Sequence, residues 1–182
     1  MALLIDDCQV SYLSPTSSIV NNVKRLLNEF RGVGAEIFWS VFVCREDDGQ
    51  FGSLDRFYGA RFKEVLYTDA DGEQVLPELS PTEDEASEKR LHVSRSLDMF
   101  RSFNLDERLS ACSIDTVVIV GMWTDHCVTA TAFSAMSYGY DVVVVSDATA
   151  SCSDLHNNAL QLLGSTVAKV LDTSSVLKDF KK

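Results

Sequence analysis

Two stretches of the chain set together residue types that can make and break bonds. In the first, the apolar run Ala2-Leu3-Leu4-Ile5 leads straight into Asp6-Asp7-Cys8-Gln9. A carboxylate at such a point can act as a general base, or it can accept backbone N–H bonds in a turn. Along an extended strand, adjacent residues point to opposite faces, so Asp6 and Asp7 are expected to diverge. The second stretch is Gly121-Met122-Trp123-Thr124-Asp125-His126-Cys127-Val128. Its cysteine follows an apolar run and opens a helical pattern. Unpaired N–H groups and the helix dipole there favour a thiolate and can hold a developing oxyanion. The competing role for Cys127 is that of a small buried hydrophobe. His126 is adjacent, but helix neighbours point about 100° apart, which makes a Cys–His dyad awkward.

The elements that must position these residues are legible as alternating patterns. Short apolar runs at Ala2 to Ile5, Ile37 to Val43, Leu91 to Val93, Thr116 to Val120, Val142 to Val145 and Val167 to Leu171 read as buried strands. Between them lie helical periods. One carries Ile19, Val23, Leu26, Leu27 and Phe30, with stops at Gly32 and Gly34; another follows Asn104 with Leu105 and Leu109. A third starts near Asp125, buries Val128, Ala132, Ala135 and Met136 on one face, and ends at Gly139. A fourth carries Leu155, Ala159, Leu160 and Leu163 and ends at Gly164. Strands apolar on both faces, alternating with helices, predict a doubly wound α/β fold around a parallel sheet, in one domain over residues 1–182. Ligands in such sheets bind at the carboxyl ends of the strands. Four groups lie there: Asp6-Asp7, Ser94-Arg95, Gly121 to Val128, and Ser146-Asp147-Ala148. They are expected to converge. Residues 45–76 read as an irregular surface insertion, and Ser80 to Lys89 as an exposed loop or short helix.

Composition narrows the partners. The chain has 182 residues, 46% of them hydrophobic, which is enough to bury a core without staples. Its net charge of −11 at pH 7 disfavours nucleic acid and anionic membrane surfaces. No apolar run approaches the roughly 20 residues of a membrane span, and the N-terminus lacks a signal-peptide pattern. Five scattered cysteines with no Cys-x-x-Cys pair point to a reducing, cytoplasmic setting. The three histidines, His92, His126 and His156, form no metal-ligand spacing, so neither metal nor cofactor is expected. Gly32-Val33-Gly34 is no dinucleotide fingerprint, and no phosphate-binding loop or Gly-x-Ser-x-Gly elbow occurs.

The two stretches together resemble the isochorismatase-like superfamily, the cysteine hydrolases. Asp7-Cys8-Gln9 looks like the end of that family's first strand, and Gly121 to Val128 resembles its Gly-Val-x-Thr-Asp-x-Cys-Val signature. Thr131-Ala132, Ala135, Gly139-Tyr140, Asp147-Ala148, His156 and Ala159 continue the likeness. The resemblance implies six parallel strands with helices on both faces, and homodimers or homotetramers. It implies an Asp–Lys–Cys triad in which Asp7 takes the thiol proton of Cys127 and the thiolate attacks a carbonyl. A cis peptide would fall at Met122–Trp123, with the N–H groups of Trp123 and Cys127 as oxyanion hole. Counting from Phe100 puts the family lysine at Ser94. Arg95 next door is the expected surrogate, then Lys89, with no cation as the third alternative. Tyr12, Trp123 and Gln9 are expected to line the substrate pocket, and Phe57 and Tyr58 could join them. The family's nicotinamidases hold a metal with histidines after the second strand, and residues 44–80 here contain none. The expected activity is hydrolysis of a small amide or carbamoyl C–N bond through a thioester on Cys127. Vinyl-ether hydrolysis and a non-catalytic binding role are the alternatives.

Overall fold

The computed structural model describes residues 1–45, 53–59, 71–87, 90–102 and 104–179. Six strands form one all-parallel sheet: β1 Ala2–Asp6, β2 Glu36–Phe42, β3 Leu91–Ser94, β4 Thr116–Met122, β5 Asp141–Ala150 and β6 Lys169–Leu171, in the order β3-β2-β1-β4-β5-β6. The chain winds outward from β1 to β3, then returns to the other side of β1 and winds outward again. Direction therefore reverses between β1 and β4, which opens a crevice beyond their carboxyl ends.

Both faces of the sheet are covered. Against one lie α1 (Val20–Gly32) and α5 (Thr173–Asp179); against the other, α2 (Leu105–Ala111), α3 (Thr129–Ser137) and α4 (His156–Thr166). Alternation persists even in the fully buried β1. Leu3 and Ile5 join the α1 side with Val23, Leu26, Leu27 and Phe30, while Ala2 and Leu4 join the α2–α4 side with Leu105, Leu109, Ala132, Ala135 and Leu163. Burial of an entire leucine or phenylalanine stabilises by about 1.5–3 kcal/mol. These two layers thus hold the central strands in fixed register.

All six apolar runs are strands, but several details differ from the pattern. Met136 is 49% exposed, so the buried stripe of α3 is narrower than its apolar sequence suggests. Helix α4 runs two residues past Gly164. Helix α5 carries too few apolar residues to announce itself; Asp147 Oδ1 accepts both the N–H and the hydroxyl of Thr173, each at 2.7 Å, and so fixes its start. The Glu83–Ser87 segment is a short helix that opens with a capping box between Thr82 and Glu85. Arg31 pairs with Glu85 and ties this turn to α1. Among the described residues no helix is long and apolar enough to cross a membrane.

Candidate active site

The site begins where β1 ends. Asp6 is the last strand residue, and Asp7 turns out of the strand in the left-handed region at φ 49°. That turn cancels the expected alternation. Register sets Ile5 against Trp39, and Ser40 next along lies beside Asp6. Both carboxyls then reach Ser40 Oγ, Asp6 at 2.7 Å and Asp7 at 2.9 Å, and both are buried. The expectation that they face opposite sides of the sheet is therefore overturned, because backbone left of φ zero is a condition for strand alternation and Asp7 does not meet it.

Gly121 holds the other wall close. It pairs with Asp6 across β1 and β4 at φ 114°, and an added Cβ would lie 2.0 Å from the Asp6 carbonyl oxygen. Only glycine fits there. The Met122–Trp123 peptide bond is cis. The chain then makes one π-helical turn, Thr124–Val128, before α3 begins. Asp125 anchors this turn by accepting the hydroxyls of Ser151 and Ser153. Burial raises its pKa, but the nearby His126 and bonds from Ser151 and Ser153 outweigh that and hold the carboxyl well below its usual range.

These elements place Asp7, Tyr12, Phe42, Leu97, Trp123, His126 and Cys127 around one small cleft. Its free space of about 10 Å³ has room for roughly one water. Burial pushes the Asp7 carboxyl up to about 6, partly offset by Cys127, Ser40 and the nearby Phe42 backbone. Burial, then the nearby Asp7 and Asp6, push the Cys127 thiol above its usual range. So the resting pair is an ionised Asp7 accepting from a neutral thiol. Burial and the neighbouring carboxyls thus act against the thiolate that helix position alone favours.

The remaining expected residues are placed as follows. Tyr12 stacks obliquely on Trp123 with ring centroids 5.2 Å apart. Gln9 does not line the cleft, which corrects its assignment to the substrate pocket. Its amide donates to the Phe42 and Gly72 carbonyls at 2.9 and 3.1 Å and accepts the Phe42 N–H at 2.7 Å, stitching β1 to β2. Arg95 is exposed just past β3 and is not among the residues around the cleft, whereas Ser94 beside it is buried. Lys89 lies outside the described residues. Ser146 and Asp147 turn to β6 and α5 instead of the crevice, because β5 continues to Ala150 after a register shift against β4. Phe57 is 81% exposed, and the Tyr58 hydroxyl lies 2.6 Å from His126 Nε2.

Two donors at the cleft went unrecognised in the sequence. Trp123 Nε1 and His126 Nδ1 are buried without a hydrogen-bond partner among the described residues. His126 Nδ1 is 3.3 Å from Asp125 Oδ1, close enough to feel its charge but misaligned for a hydrogen bond. Nothing in residue type or spacing marks such orphans; only packing makes them. The histidines are dispersed, His92 in β3 and His156 bonded to Thr124, and no metal-holding cluster occurs among the described residues. A larger hollow of about 520 Å³ lies at the amino ends of β4 to β6, lined by residues such as Thr116, Tyr140 and Lys169. It lacks the buried acid and thiol of the small cleft, so size misleads here and chemistry decides.

Known proteins bear on this geometry. A 95-residue stretch is 35% identical to an uncharacterized isochorismatase family protein, YrdC, of Bacillus subtilis, covering 46% of this chain and 51% of that one. A 129-residue stretch is 26% identical to N-carbamoylsarcosine amidase of an Arthrobacter species, covering 70% of this chain and 47% of that one. These alignments thus span about half the length of either curated relative. The crystal structure of a cysteine hydrolase from Pseudomonas syringae pv. phaseolicola superposes with a TM-score of 0.85 at 21% identity, over 99% of this chain and 92% of that one, which shows the shared fold. The sequence profile of the isochorismatase domain matches residues 1–175. With a matching profile over nearly its whole length, the chain belongs to the isochorismatase domain family of hydrolases.

Proposed function

We propose that this hydrolase is a cysteine amidohydrolase that cleaves a small amide or carbamoyl C–N bond. The observation that carries the reading is the pair of buried side chains, Asp7 and Cys127, that line one cleft at the switch point of the sheet. A neutral thiol beside an ionised carboxylate is a nucleophile with its base already in place.

Asp7 takes the Cys127 proton as sulfur attacks the carbonyl carbon. The oxyanion that forms is met by the N–H groups of Trp123 and Cys127. Asp7 then passes the proton to the leaving nitrogen, the C–N bond breaks, and a thioester remains on Cys127. In the second half, Asp7 takes a proton from water, hydroxide attacks the thioester, and the proton returns to sulfur. Every proton removed is returned. The unpartnered Trp123 Nε1 and His126 Nδ1 favour a substrate with acceptor atoms beside the scissile carbonyl, as a carbamoyl or carboxamide compound has. The aromatic walls suit a small, flat molecule, which has to widen a cleft now large enough for about one water. The Arthrobacter relative, an N-carbamoylsarcosine amidase, is named for a reaction of this same class.

The test is Cys127→Ala, assayed on a panel of small amides and carbamoyl compounds, with mass spectrometry of the parent under single-turnover conditions. Expected are loss of amide turnover and a substrate-derived adduct on Cys127. Turnover within a few-fold of the parent would exclude covalent catalysis and favour vinyl-ether cleavage by acid catalysis.

A further inference from the structure

If Asp7 is the base, the site holds one proton more than that chemistry uses. Ser40 Oγ lies 2.7 Å from Asp6 Oδ1 and 2.9 Å from Asp7 Oδ1. A serine hydroxyl has one hydrogen and can donate it to only one of them. With both carboxyls ionised, the other contact would press two lone-pair-bearing oxygens together in a site sealed from water. One carboxyl must carry a proton.

The surroundings of each carboxyl decide which. Asp7 receives the Cys127 thiol and the Ser40 hydroxyl and lines the cleft, while the Phe42 N–H is taken by Gln9 Oε1. Asp6 has Ser40 and one long bond of 3.2 Å from the Thr131 hydroxyl to Oδ2. Thr131 is free to donate, because its oxygen accepts the Met99 N–H at 3.2 Å. A better-solvated anion belongs on Asp7, which lines the cleft where Asp6 does not. The charged neighbours agree. Asp6 feels Asp7 on one side and Asp98 on the other, with the Cys8 and Cys127 thiols nearby, and no lysine or arginine lines the cleft among the described residues.

We propose that Asp6 is a buried carboxylic acid, protonated throughout turnover, that acts as a positioning residue. Its O–H donates to Ser40 Oγ, which also accepts the Asp7 N–H at 3.3 Å. Ser40 is thereby left with one direction in which to donate, toward Asp7 Oδ1. That bond orients the Asp7 carboxylate and leaves its other oxygen for the thiol proton. The proton on Asp6 also removes a second negative charge, which does by neutralisation what a cation beside the pair would do by attraction. This inference rests on Asp7 as the base, but its test does not depend on turnover.

Infrared spectra of the parent at about pH 8, where ordinary carboxyls are ionised, are expected to show a carboxylic-acid carbonyl band that shifts in D2O. The band should vanish in Asp6→Asn. Its absence from the parent, or its retention in Asp6→Asn, would overturn the proposal. Should Asp6→Asn fail to fold, Ser40→Ala takes its place: removing the acceptor must move the band, and an unmoved band overturns the proposal too. In turnover, asparagine restores a neutral donor, so kcat/KM of Asp6→Asn should exceed that of Asp6→Ala by about tenfold, with the acid limb of the pH profile unmoved. A limb lowered by about one pH unit would mean that an anion had been removed, and would overturn it as well. An active Cys127→Ala would end the amidohydrolase reading while leaving the infrared result intact.

Discussion

At the scale of single residues, the site works by opposing what each side chain does in water. Asp7 is driven up to about 6 by burial, yet its hydrogen bonds keep it ionised near neutrality. A base in that range stays deprotonated at pH 7 and can take the thiol proton in concert with attack of sulfur on the carbonyl. The pH dependence follows in sign. Activity needs the ionised form, so kcat/KM should rise through about pH 6 and fall away below it. Asp7→Asn should lose roughly 10²-fold or more in rate, the usual cost of a missing general base, and the acid limb with it. A pH–rate profile of parent and variant checks both, and an unchanged limb in Asp7→Asn would assign the limb to another group. Cys127 presents the converse case: its neighbours hold the proton on sulfur until substrate arrives.

At the scale of elements, the site depends on two places where regular structure breaks. β1 stops at Asp6, and the positive φ of Asp7 swings a second carboxyl to Ser40 instead of across the sheet. Beyond β4 the chain passes through a π turn, a form found mostly at functional sites, and this sets Cys127 against Asp7. Gly121 links the two, since its lack of a Cβ lets β4 approach the Asp6 carbonyl. Gly121→Ala would put a methyl 2.0 Å from that oxygen at a φ of 114°, so strain and steric clash add. We expect a loss on the order of 3 kcal/mol or more, or failure to fold. Chemical denaturation measures it; a loss below about 1 kcal/mol would show that the strands part easily at this point. Gly139, whose added Cβ meets nothing within 4 Å, is the control, strained by its φ of 94° alone.

For the whole molecule, two buried carboxyls with raised pKa values set the pH dependence of stability. Burial first, then Asp7, raise Asp6, and burial raises Asp7. Between about pH 4 and the folded-state values, the folded chain binds more protons than the unfolded one, so stability falls as pH rises. Asp125 and Glu85 act oppositely: their lowered values give stability that is lost as pH falls through the ordinary carboxylate range. A net charge of −11 at pH 7 adds self-repulsion that acid relieves. Thermal unfolding should therefore give a higher Tm near about pH 5.5 than near about pH 8. A Tm that climbs steadily to pH 8 would mean that these carboxyls are not protonated in the folded state.

The sequence by itself determined the architecture and singled out Asp7 and Cys127 as the candidate pair. Apolar runs flanked by Gly and Asp can be satisfied only as buried strands, and Asp7-Cys8-Gln9 with Gly121 to Val128 fall at strand ends under any parallel arrangement. Local pattern is a sufficient record of local structure there. It could not record what distant segments do to one another. The Gln9 amide looked like a pocket group until the Phe42 and Gly72 backbone claimed it, and Asp147 looked like a crevice residue until Thr173 did. Asp6 looked like a residue for the far face, because a strand rule cannot foresee a positive φ at its neighbour. The protonation of Asp6, the neutrality of Cys127 and the orphaned Trp123 and His126 donors all follow from which groups are brought within about 3 Å of one another and shut away from water. Those distances belong to the tertiary structure alone, since hydrogen bonding and desolvation act between neighbours in space and leave no mark on residue order.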